Sequence, residues 1–128
     1  MGDVIFTPMY EVLLKRGVKF EFFNKVTNLG LSADKKTIST ISIDVQATLK
    51  DTSQPYNPLV TVKDLPCWPT EPDYNQLNEG GQLQAQKVNL ESYYSTWKPV
   101  SAKQLNAGTD FDAVVLGISI GALPTITK

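Results

Sequence analysis

Pro8-Met9-Tyr10-Glu11-Val12-Leu13-Leu14-Lys15-Arg16-Gly17-Val18-Lys19-Phe20-Glu21-Phe22 opens the stretch, running on to Val45, around which the rest of the chain is organised. Met9, Val12, Leu13 and Arg16 recur at helical spacing, and Gly17 follows where a chain leaving a helix needs positive φ. Thr7-Pro8 supplies an N-cap and a proline for the first turn, so the helix is expected to begin there. A helix of about nine residues does not hold in water without tertiary support, so its Met9, Val12 and Leu13 side, widened by Tyr10 and Leu14, is expected to lean on a sheet. Val18-Lys19-Phe20-Glu21-Phe22 alternates with period 2 and predicts a strand with Val18, Phe20 and Phe22 on one face. The adjacent Phe22-Phe23 must point to opposite faces of such a strand unless a bulge intervenes. Val26 to Leu31 continues in extended character, Ser32 to Lys36 supplies turn residues, and Thr37 to Ile43 alternates again. The pattern predicts helix, strand, hairpin.

Composition limits what this core can belong to. With 128 residues and 41% hydrophobic content the chain is expected to form a single domain, 1–128. Twelve basic and 13 acidic residues give a net charge of -1, a field too weak to draw in nucleic acid or an anionic membrane. Cys67 is the sole cysteine and histidine is absent, which excludes a disulfide framework, a zinc site and any Cys-His or Ser-His catalysis within the chain. No apolar run approaches the roughly 18 to 20 residues of a membrane span, and the N-terminus lacks the pattern of a signal peptide. A cytoplasmic setting is the expectation.

From Gln46 the alternation is lost. The expected core comprises 4–49 and 100–124, with an excursion over 50–99 that carries prolines at 55, 58, 66, 69 and 72. Proline at that density forbids long helix and central strand, so Asp64 to Pro69 is expected to be an ordered extended loop pinned by Trp68. Asp73 to Leu83 predicts a helix with Tyr74, Leu77 and Leu83 inward, weakened at Gly80-Gly81 by about 1 kcal/mol per glycine. Tyr93, Tyr94 and Trp97, with Trp68, are candidates to line a groove for a flat apolar substrate, or else they close a satellite core. Ala113-Val114-Val115-Leu116-Gly117-Ile118-Ser119 is a nearly continuous apolar run and predicts a strand buried on both faces. Such a strand needs covering layers, and with the apolar Val4-Ile5-Phe6 it suggests a piece of a longer protein, with exposed apolar surface able to drive self-association.

Other candidates for chemistry read as structural. Cys67 is a lone cysteine without a histidine or a nearby basic residue, so a structural role is the expectation. The pairs Glu71/Asp73 and Asp110/Asp112 could act as general acid and base, but two residues apart in extended chain they fit a solvated edge or a cap equally well. No catalytic residue and no metal ligand is assigned.

The run from Pro8 to Leu29 resembles the segment of flavin-containing amine oxidase and phytoene-desaturase-like oxidoreductases in which a helix of the form L-x-x-L-x-x-x-G precedes a strand and a V-x-x-I/L strand. Asp112-Ala113-Val114-Val115-Leu116-Gly117-Ile118-Ser119-Ile120-Gly121-Ala122-Leu123 similarly looks like their D-x-V-V-L-A-x-P-x-x-x-L strand and turn. The middle, with Leu65-Pro66-Cys67-Trp68-Pro69, looks like an insertion of a bacterial subgroup of FAD-dependent or NAD(P)-binding oxidoreductases. The resemblance implies that Val26 approaches the adenine end of FAD through its backbone. The family's proline is replaced here by Ser119 or Ile120, and the G-x-G-x-x-G turn that seats the FAD pyrophosphate is absent.

The expected fold is therefore α+β: a small mixed or antiparallel sheet with one or two packed helices and a long proline-rich excursion, cut from a larger FAD/NAD(P)-binding two-domain fold. The resemblance implies a substrate-side domain of an FAD-dependent oxidoreductase, inactive alone and with no FAD expected on it. Its partners would be the missing FAD-binding domain and a small-molecule substrate. The competing expectation is a stand-alone protein-interaction or ligand-binding domain without redox chemistry.

Overall fold

A computed structural model describes residues 2–127. The fold is α+β, with short helices and two sheets, both antiparallel. The residues divide into two compact units: the chain up to Phe22 with Leu49–Val88, and Phe23–Thr48 with the chain from Asn89 onward.

In the first unit a π-helical turn, Gly2–Phe6, runs straight into helix α1, Thr7–Lys15. Phe6 is already helical, so Thr7 is not the expected N-cap; it lies inside the helix, 1% exposed, its Oγ1 without a hydrogen-bond partner among the described residues. The predicted stop is present. Gly17 has φ +83°, its N–H donates to Leu14 O at 2.9 Å and the Val18 N–H donates to Leu13 O at 3.0 Å, the paired bonds of a Schellman ending. The buried side differs from the expected one. Tyr10 is buried while Met9 and Val12 are exposed, because the Tyr10 ring meets Phe20 at 4.7 Å and Trp68 edge-on at 5.4 Å. A tyrosine ring carries a large apolar area, and here it has aromatic partners to bury that area against.

Residues 18–22 form no strand. Their period-2 pattern still sets which rings share a side, since Phe20 and Phe22 stack at 6.3 Å and Phe22 meets Tyr56 at 5.2 Å. Phe23 at φ +57° then turns the chain, which separates the two adjacent phenylalanines and ends the extended run before a ladder forms.

The expected extended loop at Asp64 to Pro69 is instead half of a hairpin. Strands β3, Val60–Val62, and β4, Leu65–Cys67, are joined by Lys63 and Asp64 at φ +49° and +63°, the signature of a two-residue type I′ turn. Pro66 is tolerated because the ribbon has only two strands and its other edge is open. The predicted helix over 73–83 is two shorter pieces. Asp73 accepts from the Asn75 N–H at 3.0 Å and caps a 3₁₀ turn, Tyr74–Gln76; Leu77 is extended; helix α2 is Gly80–Ala85. A side chain at Gly80 would run into the Tyr74 carbonyl oxygen, so glycine is what lets the two pieces approach. Leu77 and Leu83 are fully buried, and Leu49 bridges to Leu77 as a short antiparallel contact.

The second unit is a three-stranded sheet in the order β1-β2-β5, with β1 Asn24–Leu31, β2 Ile38–Val45 and β5 Ser101–Asn106. The predicted hairpin is β1 and β2, closed by the Ser32 N–H donating to Thr37 O at 2.9 Å. Leu29 and Ile43 supply its core. Ala113 to Ser119, expected as a buried strand, is not one: Val115 is 95% exposed and the backbone of Ala113–Ile118 makes no hydrogen bond among the described residues. The chain leaves the sheet first. Asp110 takes the Asn106 N–H at the end of β5 at 2.8 Å, and Gly108, at φ +79°, donates to Phe111 O, so the backbone curls away before the apolar run begins.

Two outcomes follow. Leu77→Ala is expected to lose about 2–5 kcal/mol of stability in urea denaturation, whereas Val4→Ala, at an exposed site, stays within about 0.5 kcal/mol. The Asp73 carboxyl is held below its ordinary range by the Gln76 side chain and then by the Asn75 N–H. A lowered folded pKa gives stabilisation that is present above the unfolded carboxylate pKa and disappears as pH falls through the folded one. Urea midpoints should therefore drop more for the parent chain than for Asp73→Asn as pH is lowered from about 5 to about 3.

Candidate functional site

The backbone at Val26 is set by the sheet. Val26 pairs with Ile43, and an irregularity between Val26 and Asn28 leaves Thr27 as an extra residue whose hydroxyl donates to Ser42 O at 3.2 Å. Antiparallel pairs alternate between those that exchange hydrogen bonds and those that do not. On the far side of β2, Ser39 O accepts from the Ala107 N–H; on the near side, the Gln46 N–H donates to Phe23 O. Odd-numbered β2 residues therefore address β5 and even-numbered ones address β1. Ile43 addresses β5, so its partner Val26 turns its N–H away from β2, toward the open edge of the sheet. Leu29 does likewise, and its N–H donates to Ile126 O at 2.7 Å. Val26 is 37% exposed.

Lys25, beside Val26 and on the opposite face, carries its Nζ 5.5 Å from the centre of the Tyr93 ring. Tyr93 and Tyr94 meet edge to face at 5.2 Å, and Tyr94 is 87% exposed. Their loop is built from local turns: Asn89 Oδ1 accepts the N–H groups of Glu91 and Ser92, and Ser92 Oγ accepts that of Tyr94. Gln46 ties this loop to the end of β2. Its carbonyl accepts the Trp97 indole N–H at 2.8 Å, and its side-chain amide donates to Leu90 O at 2.9 Å.

The second unit thus holds Val26, Tyr93, Tyr94 and Trp97, with the tyrosines in mutual contact. Trp68 belongs to the first unit, where its ring lies against Tyr10 and Phe22 and its backbone N–H donates to Asp3 Oδ1. Lys25 and Gln46 carry no signal of their own in the sequence, because their partners lie far along the chain. Asp73 and Asp110 serve as caps, and Cys67 is half-buried at the end of β4. Among the described residues no group of three or more His, Cys, Asp or Glu could hold a metal ion, and no helix is long and apolar enough to cross a membrane.

Compared with known proteins, the chain matches no protein family, no curated protein and no solved structure.

Trp97→Phe keeps the ring but removes the N–H from Gln46 O. A loss of about 1 kcal/mol in urea denaturation is expected, and a similar loss for Gln46→Ala, which keeps the backbone carbonyl that Trp97 meets and strips only the side-chain bond to Leu90 O.

Proposed function

We propose that this chain is the substrate-side part of an FAD-dependent, amine-oxidase-like oxidoreductase, cut from a larger two-domain fold and inactive alone. The observation that supports this best is the outward-turned N–H of Val26 on an edge strand. The family resemblance asks for a backbone contact to the adenine at this residue, and an edge strand next to a bulge is where a main-chain group is open to a ligand. At that edge the chain has a main-chain group to offer FAD. Gly80-Gly81 offers no phosphate cradle, since Gly80 packs on the Tyr74 carbonyl and opens a helix of six residues. Tyr93, Tyr94 and Trp97 would add an aromatic surface on the substrate side, where the protein's task is to bind and orient the reactant while the flavin carries the redox step.

Genomic DNA on both sides is expected to continue the reading frame, with a strand, G-x-G-x-x-G and helix upstream. In the longer product Val26→Pro should release flavin while Val26→Ala retains it, as read by flavin fluorescence. Tight stoichiometric FAD on the 128-residue chain, or a reading frame that closes at its ends, would refute the proposal.

A further inference from the structure

The chain beyond β5 is fastened at two places. Its base is the turn at the end of β5, where Asp110 Oδ2 accepts the Asn106 N–H at 2.8 Å and Ala107 bridges to Phe111. Its tip is Ile126, whose carbonyl accepts the outward-turned Leu29 N–H of β1 at 2.7 Å and whose side chain, at 8% exposure, is the one buried side chain of 113–127. The tip is stiff. Ile120–Thr125 is a 3₁₀ helix containing Pro124, and the Thr125 and Thr127 hydroxyls donate to the Ala122 and Leu123 carbonyls at 2.6 and 2.9 Å. Between base and tip, Ala113–Ile118 makes no backbone hydrogen bond among the described residues.

The tether is slack. Asn106 of β5 and Gly30 of β1 flank Thr40 in the sheet, so base and tip are two strand spacings apart, about 10 Å. Residues 112–119 alone could span about 26 Å when extended, with the tip intact. A slack tether transmits no pull, and a tip held by one buried side chain and one sheet-edge bond can leave without breaking a ladder bond. We infer that residues 113–127 are a strap that Ile126 closes over the outer edge of β1, and that the strap opens by itself while the three-stranded sheet stays folded. Closed, it occupies the Leu29 N–H. Open, it leaves Leu29 and Val26 both turning their amides outward on one uncovered edge. The strap acts on the same edge as the proposed adenine contact but does not rest on the flavoenzyme reading, because its opening is read without flavin.

Native-state amide hydrogen exchange of the 128-residue chain at several urea concentrations below the unfolding transition tests this, with Ile41 and Ile43, which address β5, as internal references. Leu29 should be protected, yet exchange at least about tenfold faster than both references and almost independently of urea, because a small opening exposes little surface. Ile126→Asp, which puts a charge at the buried tip, should speed Leu29 about tenfold further and leave Ile41 and Ile43 unchanged. Val115→Ala, at a 95% exposed site in the tether, should alter none of the three. Leu29 exchange that follows Ile41 and Ile43 in rate and urea dependence would overturn the inference, since tail and sheet would then be one cooperative unit. So would a Leu29 amide that is unprotected in the parent chain, a Val115→Ala effect on any of the three, or an Ile126→Asp variant that unfolds, speeds all three alike or leaves Leu29 unchanged.

Discussion

Strand β2 is the only strand of its sheet with a ladder on both sides, and the order of the second unit depends on it. One side is joined to β1 by a short hairpin, a local pairing with little loop to close. The other side waits for β5, which returns only after the whole stretch from Gln46 to Val100. Loop-closure entropy grows slowly with length, so the cost of that return is tolerable, but it delays the pairing. Residues at the two margins of β2 compensate. Val45 O receives the Val100 N–H, Ser39 O receives the Ala107 N–H, and Gln46 holds the Trp97 loop with two bonds.

The same ladder decides what Val26 can offer. Because hydrogen-bonding direction alternates along a strand, the pairing of β2 with β5 dictates which residues of β1 turn their amides outward. A one-residue slip would turn Val26 inward and present its neighbours instead. Its side chain contributes little to this, so replacement by another β-former would preserve the arrangement.

How far the chain could be read from its residues varies with how local each cause is. The end of α1 was legible because Gly17 alone provides the positive φ, and the hairpin of β1 and β2 because turn residues separate two extended runs. The β3–β4 hairpin was obscured by the prolines around it, although Val60-Thr61-Val62 alternates; its turn uses Lys63 and Asp64, a pair less suggestive than Asn-Gly. Ala113 to Ser119 misled because continuous apolar character shows affinity for a sheet but not whether a sheet is in reach, and the carboxylate of Asp110 and the φ of Gly108 direct the backbone elsewhere. Val18 to Phe22 kept its side-chain alternation and lost its ladder at one dihedral, that of Phe23. The tyrosine pair was visible as composition, while its anchoring through Gln46 joins residues too distant in sequence for any local pattern to connect.

Neither unit is contiguous. The backbone passes from one to the other at Phe22/Phe23, at Thr48/Leu49 and at Val88/Asn89, and two residues with positive φ, Phe23 and Lys87, stand at or next to the first and last passages. During synthesis the ribosome releases the beginning of one unit, then a hairpin of the other, then the remainder of each in turn. The first can be completed only when Val88 has emerged, and the second only when β5 has followed. Nascent chains therefore carry two unfinished cores at once, and domain-by-domain vectorial folding, the usual safeguard of multidomain synthesis, is closed to this topology.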